Sequence, residues 1–240
     1  MKICSNFSFA QSRLAWLFSS YSTGLVIAGL TLVSVGSLGT GCSSTPTAQP
    51  EPDPTVLYKE AEEDFKHDHF QIAIEKFRIV KNRFPYSKVA VDAALRIGDV
   101  LFEQELFGDA ALAYENFRDL HPKNERTPYA MFRIGKSYLN DTPRPVSRDI
   151  ASATKAADAF GQLIRRFPDA KETQDAKVDL LDARNLLAEK EIYIGDFYVR
   201  AKETGAAKPR YQKVIDQFGD TPSAKIAQSK LEKITPSQPK

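Results

Sequence analysis

The chain changes character twice along its length. From Leu14 to Gly41 it carries no charge, and Leu25–Leu38 (LVIAGLTLVSVGSL) is apolar with small residues interspersed. The stretch after Cys42, SSTPTAQPEPDP, has Pro, Ser and Thr but no apolar spacing. From residue 55 onward apolar positions recur every three or four residues, the period of an amphipathic helix, with no strand-like alternation. The pattern predicts helices over 55–67, 70–83, 87–104, 108–120, 126–139, 149–166, 170–203, 207–218 and 222–233. The segment 170–203 contains no Pro and one Gly, Gly195, so it reads as one long helix or as two with a tight joint. NDTPRPVSRD, with two prolines, reads as a loop inserted before the 149–166 helix.

One spacing recurs in four of these segments. Ala73, Phe77 and Phe84-Pro85 match Ala110, Tyr114 and His121-Pro122, then Ala156, Phe160 and Phe167-Pro168, then Ala207, Tyr211 and Phe218-Gly219. Alanine and the first aromatic share a helix face, and the Pro or Gly stops the helix. Eleven residues past Pro85 comes Arg96-Ile97-Gly98, and eleven past Pro122 comes Arg133-Ile134-Gly135, where the glycine lets a neighbouring helix approach closely. Pro85 and Pro122 lie 37 residues apart, near the 34 of a tetratricopeptide unit. The expected fold is all-α: a tetratricopeptide-repeat superhelix of about five helix pairs over 55–235, with a concave face. Residues 236–240 read as a disordered tail.

The N-terminus adds a location. Lys2 and Arg13 are the only charges before the apolar run, and Gly39-Thr40-Gly41 leads into Cys42. Basic start, apolar centre and small residues at the end form a secretory signal, here over 1–41. The small residues before cysteine resemble a bacterial lipobox, which makes Cys42 the acylated first residue of the mature chain, carrying diacylglycerol and an N-acyl group. Ser43 resembles the second residue of lipoproteins sent to the outer membrane. A retained membrane anchor is the other reading of the apolar run. Residues 42–54 then form a tether between bilayer and folded domain.

Composition narrows the function. The 33 basic and 31 acidic residues nearly balance, against the cationic excess of a nucleic-acid binder. Cys4 and Cys42 are the only cysteines, which leaves the repeat region without a thiol for disulfide, metal or catalysis. His67-Asp68-His69 falls in a predicted turn and is too small a set for a metal site. His121 takes the place of a packing aromatic. No GxSxG, HExxH or phosphate-binding Gly loop occurs. The expectation is a non-enzyme with no cofactor beyond its lipid.

Three stretches carry a family resemblance. Tyr58-x2-Ala61, Phe70-x2-Ala73-Ile74-x2-Phe77 and RFPYS (83–87) form the first. Arg148-Asp149 before an Ala-rich helix ending in IRRFP (164–168) is the second. Leu187-Ala188-Glu189-Lys190-Glu191 followed by Phe197-Tyr198 is the third. Together they resemble the BamD family of outer-membrane lipoproteins of the β-barrel assembly machinery, over residues 55–233. The resemblance implies a scaffold on the periplasmic face of the outer membrane. It implies binding to the barrel-forming insertase BamA through C-terminal repeats, with other assembly lipoproteins as neighbours. It also implies N-terminal repeats that receive the C-terminal segment of unfolded outer-membrane proteins, an extended peptide ending in an aromatic residue. By helix position the groove candidates are Tyr58, Glu62, Phe65, Arg96, Asp99 and Phe102, with Phe65 and Phe102 equally readable as inter-helix core. The basic residue that meets BamA just beyond the Phe-Tyr pair is Arg200 or Lys202 here. The alternative is a CpoB-like periplasmic repeat protein coordinating cell-wall synthesis with constriction.

Overall fold

The computed structural model describes residues 51–235. Cys42, the 1–41 signal, the tether up to residue 50 and the 236–240 tail therefore lie outside the described residues. Nine helices and no strand occur among the described residues: α1 (Pro54–Lys66), α2 (Phe70–Arg83), α3 (Lys88–Glu103), α4 (Phe107–Leu120), α5 (Thr127–Asp141), α6 (Ala151–Arg166), α7 (Thr173–Arg200), α8 (Thr204–Gln217) and α9 (Pro222–Ile234). They form a tetratricopeptide-type array of four helix pairs, with α9 alone standing for the fifth. Each helix packs on its sequence neighbours, and the first helix of one pair also touches the first helix of the next (α1 on α3, α5 on α7, α7 on α9).

The small residues set this packing. Gly98 faces the Tyr114 ring, Gly135 the Phe160 ring and Gly195 the Tyr211 ring, and a Cβ at any of the three would lie within 2.7 Å of a ring carbon. In the first pair the fully buried Ala61 and Phe77 take the same places. Each aromatic thus lies flat on the backbone of the partner helix. This contact explains why the Ala-x3-aromatic spacing and the glycine travel together along the chain.

Turn chemistry closes both edges of the array. Within pairs, α1, α3 and α7 end in Schellman turns: the amides of His69, Leu106 and Glu203 reach back to the carbonyls of Asp64, Leu101 and Tyr198. The left-handed residues are Asp68, Glu105 and Lys202 (φ 61°, 58° and 64°), where glycine is the usual occupant. Between pairs, Thr127 and Thr173 donate their hydroxyls to the carbonyls of His121 and Phe167, at 2.7 and 2.6 Å.

Several boundaries shift by one to three residues from the sequence pattern, and five of them have a clear local cause. Helix α1 starts at Pro54, inside the stretch read as tether, because Asp53 accepts the amide of Thr55 at 2.7 Å and proline suits the first turn. Helix α6 starts at Ala151, not 149, because Asp149 stays outside and accepts the Ala151 amide at 3.0 Å. Helix α7 is single and shorter, 173–200. It is trimmed by the Thr173 corner at one end and the Lys202 turn at the other. Helix α8 begins at Thr204, three residues early, since the Glu203 carbonyl already accepts the amides of Ala206 and Ala207.

At 28 residues α7 is about 42 Å long and serves two cores. Ala176, Ala183 and Leu186 close the central cluster with α5 and α6, whereas Ala188 and Ile192 join Tyr211, Val214 and Ala227 in the C-terminal one. At 100° per residue these sets fall on different faces, so the apolar stripe changes side near Leu187.

Candidate binding surfaces

The groove candidates sit on the first helices of consecutive pairs. Tyr58, Glu62 and Phe65 share a face of α1, and Arg96, Asp99 and Phe102 share a face of α3. Arg96 ties the two together. Its Nε and Nη2 donate to the two Glu62 oxygens at 2.6 and 2.8 Å, and its Nη1 donates to Asp99 Oδ2 at 2.8 Å. The guanidinium also lies 4.7 Å from the centre of the Phe65 ring. Burial alone would lower the Arg96 pKa, but Glu62 and Asp99 outweigh it and raise it.

Asp99 is only 4% exposed and is the hub of the network. Its Oδ1 accepts the hydroxyls of Tyr114 and Tyr129 at 2.7 and 2.8 Å. Arg133 of α5 donates to Tyr114 Oη at 3.1 Å and lies 3.7 Å from the centre of Phe102. Burial first, and Asp99 second, push the Tyr114 phenol up, and the same causes raise Tyr129 to about 12. A carboxylate with three donors in a dry site is satisfied internally, so Asp99 fixes the surface while the rings and guanidinium faces present it. Tyr58 packs edge-on to Phe77 at 5.4 Å, and Phe65 packs on Phe70 and the N-terminal core. Phe102 packs on the central core. The aromatic candidates are therefore half-buried, part core and part surface.

Beyond the nominated residues this face continues into a cavity of about 490 Å³ lined by Arg96, Asp99, Arg126, Tyr129, Lys171 and Glu172. Tyr129, Arg126 and Arg133 were not among the groove candidates, although Arg133 belongs to the repeat spacing. The signal that could have found them is the spacing: Arg133 lies 34 residues after Asp99, as Arg96 does after Glu62.

The C-terminal candidates lie at the end of α7. Arg200 is exposed on its last turn, and Lys202 is the exposed left-handed residue of the following turn. Tyr193, Phe197 and Arg200 follow i, i+4, i+7 spacing on one face, and the two rings are 42% and 56% exposed. Tyr198, the other half of the Phe-Tyr pair, packs instead on the C-terminal core.

The two later family-like motifs meet in space. Lys190 Nζ donates to the carbonyls of Val146, Ser147 and Arg148 at 2.9, 3.2 and 2.8 Å, which pins the inserted loop to α7. Glu191, the next residue, accepts from Arg210 at 3.1 Å and from Lys213, which fastens α8 to α7. Burial would raise the Glu191 carboxyl, but these two cations hold it below the usual range. Among the described residues no helix is long and apolar enough to cross a membrane.

Residues 50–236 match the family YfiO, described as outer membrane lipoprotein. Curated relatives share the name outer membrane protein assembly factor BamD. The protein of Neisseria gonorrhoeae is 27% identical over 207 residues, covering 80% of this chain and 78% of the relative. That of Vibrio cholerae is 27% identical over 198 residues, covering 79% and 82%. That of Rickettsia prowazekii is 29% identical over 196 residues, covering 79% and 76%.

Proposed function

This chain belongs to the YfiO family of outer membrane lipoproteins, and we propose that it is an assembly factor for outer-membrane β-barrel proteins, anchored at the periplasmic face through acyl groups on Cys42. It acts as a non-catalytic scaffold with two working surfaces. The C-terminal one binds the periplasmic domain of a BamA-type insertase. The N-terminal one, the faces of α1, α3 and α5, receives the C-terminal segment of an unfolded barrel protein.

The observation that carries the reading is the uncovered Tyr193, Phe197 and Arg200 stripe on α7. Two exposed rings and an arginine with no ion partner among the described residues have the composition of an interface anchor. Lys190 and Glu191 hold the helix beneath them rigid, so binding does not have to order it. On the other surface, an extended peptide with an aromatic end fits rings on a rigid polar network. Its terminal carboxylate would face Arg126 and Lys171 at the rim of the cavity.

Binding of the purified chain to the periplasmic domain of the insertase from the same organism tests this. Phe197→Ala and Arg200→Glu should each weaken it at least about tenfold, in line with about 2–5 kcal/mol for losing one side of a buried charge pair. Their melting temperatures should stay unchanged. Unaltered affinity in both variants overturns the assignment of this surface.

A further inference from the structure

We propose that the edge of the array formed by the α2–α3, α4–α5 and α6–α7 corners is a docking surface for anionic phospholipid headgroups, so that the domain lies with this edge against the bilayer. The proposal rests on the anchored reading of residues near Cys42 and adds an orientation to it.

Two independent observations point the same way. The first is charge. Lys81 and Lys88 flank the first corner, Lys123 lies in the second, and Arg165 and Arg166 end α6 at the third. All five are exposed, and none makes an ion pair among the described residues. The acids of these corners are mostly engaged: Asp119 is held by Arg118 at 2.7 Å, and Glu172 lies 3.6 Å from Lys171. Glu125, Asp169 and Asp175 are left exposed and unpaired there among the described residues. On the opposite edge the α3–α4 turn carries the exposed acids Glu103, Glu105 and Asp109. Apolar tips accompany the cations: Tyr86 is fully exposed and Leu120 is 74% exposed. The corners adjoin one another, since Lys81, Pro85, Leu120 and His121 line one cavity of about 390 Å³, and Glu125, Arg126 and Lys171 line another. Cations with an aromatic between them suit a headgroup layer, because each cation gains from the negative surface potential and the ring sits at the interface.

The second observation is where the chain enters. Arg83 Nη2 donates to Glu51 Oε1 at 2.9 Å, and Asp53 caps α1. The described chain therefore enters the domain at this same edge, beside the first corner. Nine residues lead from Cys42 to Glu51, a covalent reach of at most about 30 Å. Whatever holds residue 42 at a bilayer keeps this edge near it, and cations within a Debye length of an anionic surface are drawn to it. A protein partner for the same edge would have no such reason to sit beside the tether.

The full-length protein, reconstituted in vesicles, tests this with an environment-sensitive fluorophore on a single introduced cysteine. Tyr86→Cys places the probe on the proposed edge. Gly108→Cys places it on the opposite edge, at an exposed helical position where a Cβ meets nothing within 4 Å. In vesicles of phosphatidylethanolamine and phosphatidylglycerol, a spin label on the lipid headgroups should quench the probe at 86 and spare the probe at 108. Quenching should fall in vesicles of phosphatidylcholine alone, in high salt, and when the five free cations are replaced by alanine. Each cation contributes about fivefold to partitioning, so the five-alanine variant should lose more than tenfold. Equal quenching at 86 and 108, or quenching indifferent to the five alanines, overturns the proposal and leaves the edge to an acidic protein partner. The parent chain reports the anchor separately: a label taken up at Cys42 shows that this cysteine is not acylated, whatever the probes at 86 and 108 show.

Discussion

Lys136 donates to both carboxylate oxygens of Asp179, at 2.9 and 3.0 Å, and reverses a polarity that its counterparts share. The residues that follow the small positions of the four helix pairs are Glu62, Asp99, Lys136 and Asp196. Glu62 is met by Arg96, and Asp196 by Lys230 at 2.8 Å, each cation coming from the first helix of the next pair 34 residues on. Asp99 is reached by Arg133 at the same interval, through the Tyr114 hydroxyl. Only at the third pair does the earlier helix supply the cation and the later one the acid. A like-signed residue at either position would be repelled, so the reversed pair favours the observed docking of α7 on α5.

This relationship can be tested by exchange. Asp179 is 8% exposed, and removing its partner in Lys136→Met leaves a buried carboxylate without its cation. The expected loss is about 1–3 kcal/mol by denaturant unfolding. The swap Lys136→Asp with Asp179→Lys should recover most of it. A double variant no more stable than the worse single one would show that the pair does not couple the two helices.

Gly135→Ala should destabilise the array by about 1–3 kcal/mol despite the better helix propensity of alanine. The new Cβ would meet the Phe160 ring at 2.5 Å. The cost should shrink in a Phe160→Leu background. Thermal melts of the four chains read the coupling, and strictly additive effects would rule out the ring contact as its cause. Gly205→Ala, with nothing within 4 Å of the new Cβ, should leave the melt unchanged or slightly raised.

Lys190→Met should free the inserted loop. Three carbonyls lose their shared donor while the aliphatic stem is kept. Trypsin cleavage after Arg148 should accelerate several-fold, with the global melting temperature little altered. Equal cleavage rates in parent and variant would mean that the loop is held by other contacts.

Acid should loosen the α7–α8 joint first. The folded-state pKa of Glu191 lies below its ordinary value because Lys213 and Arg210 outweigh the effect of burial. Its contribution is therefore complete above the unfolded value of about 4.3, and it is lost as pH falls through the lower folded value. Arg184 depresses the Asp220 carboxyl in the same sense where α8 meets α9. Hydrogen exchange in α8 and α9 should rise below about pH 4.5 before that in α3 and α4. In Glu191→Gln the acid-induced part of this rise should be smaller, and an identical pH profile would remove Glu191 from the joint.

Much of the molecule was legible along the chain. Periodicity set nine helices within a few residues of their observed ends, because each is amphipathic and bounded by Pro, Gly or a corner aromatic. The Gly98 and Gly135 approach could also be read, since a repeated small residue opposite a repeated aromatic has one efficient packing solution. The Schellman turns at Asp68, Glu105 and Lys202 were not legible, because no glycine marks them. Nor was the start of α1, where one side-chain cap decided the boundary. For the binding surfaces, the sequence supplied residue types and helix faces but not partners. Asp99 reads as an exposed acid on a polar face, yet two tyrosines and an arginine from three helices close over it. Tyr198 turns into the core while Phe197 stays outside, although the two are adjacent.

The chain by itself determined the helical repeat, the close-packed glycine and aromatic pairs and the Pro-rich lead into the fold, because each follows from contacts within about 25 residues. Only the tertiary structure decided which charges are spent inside the array and which remain for partners. That division depends on side chains some 34 residues or more apart converging on one carboxylate, and on whether water is left around them when they do.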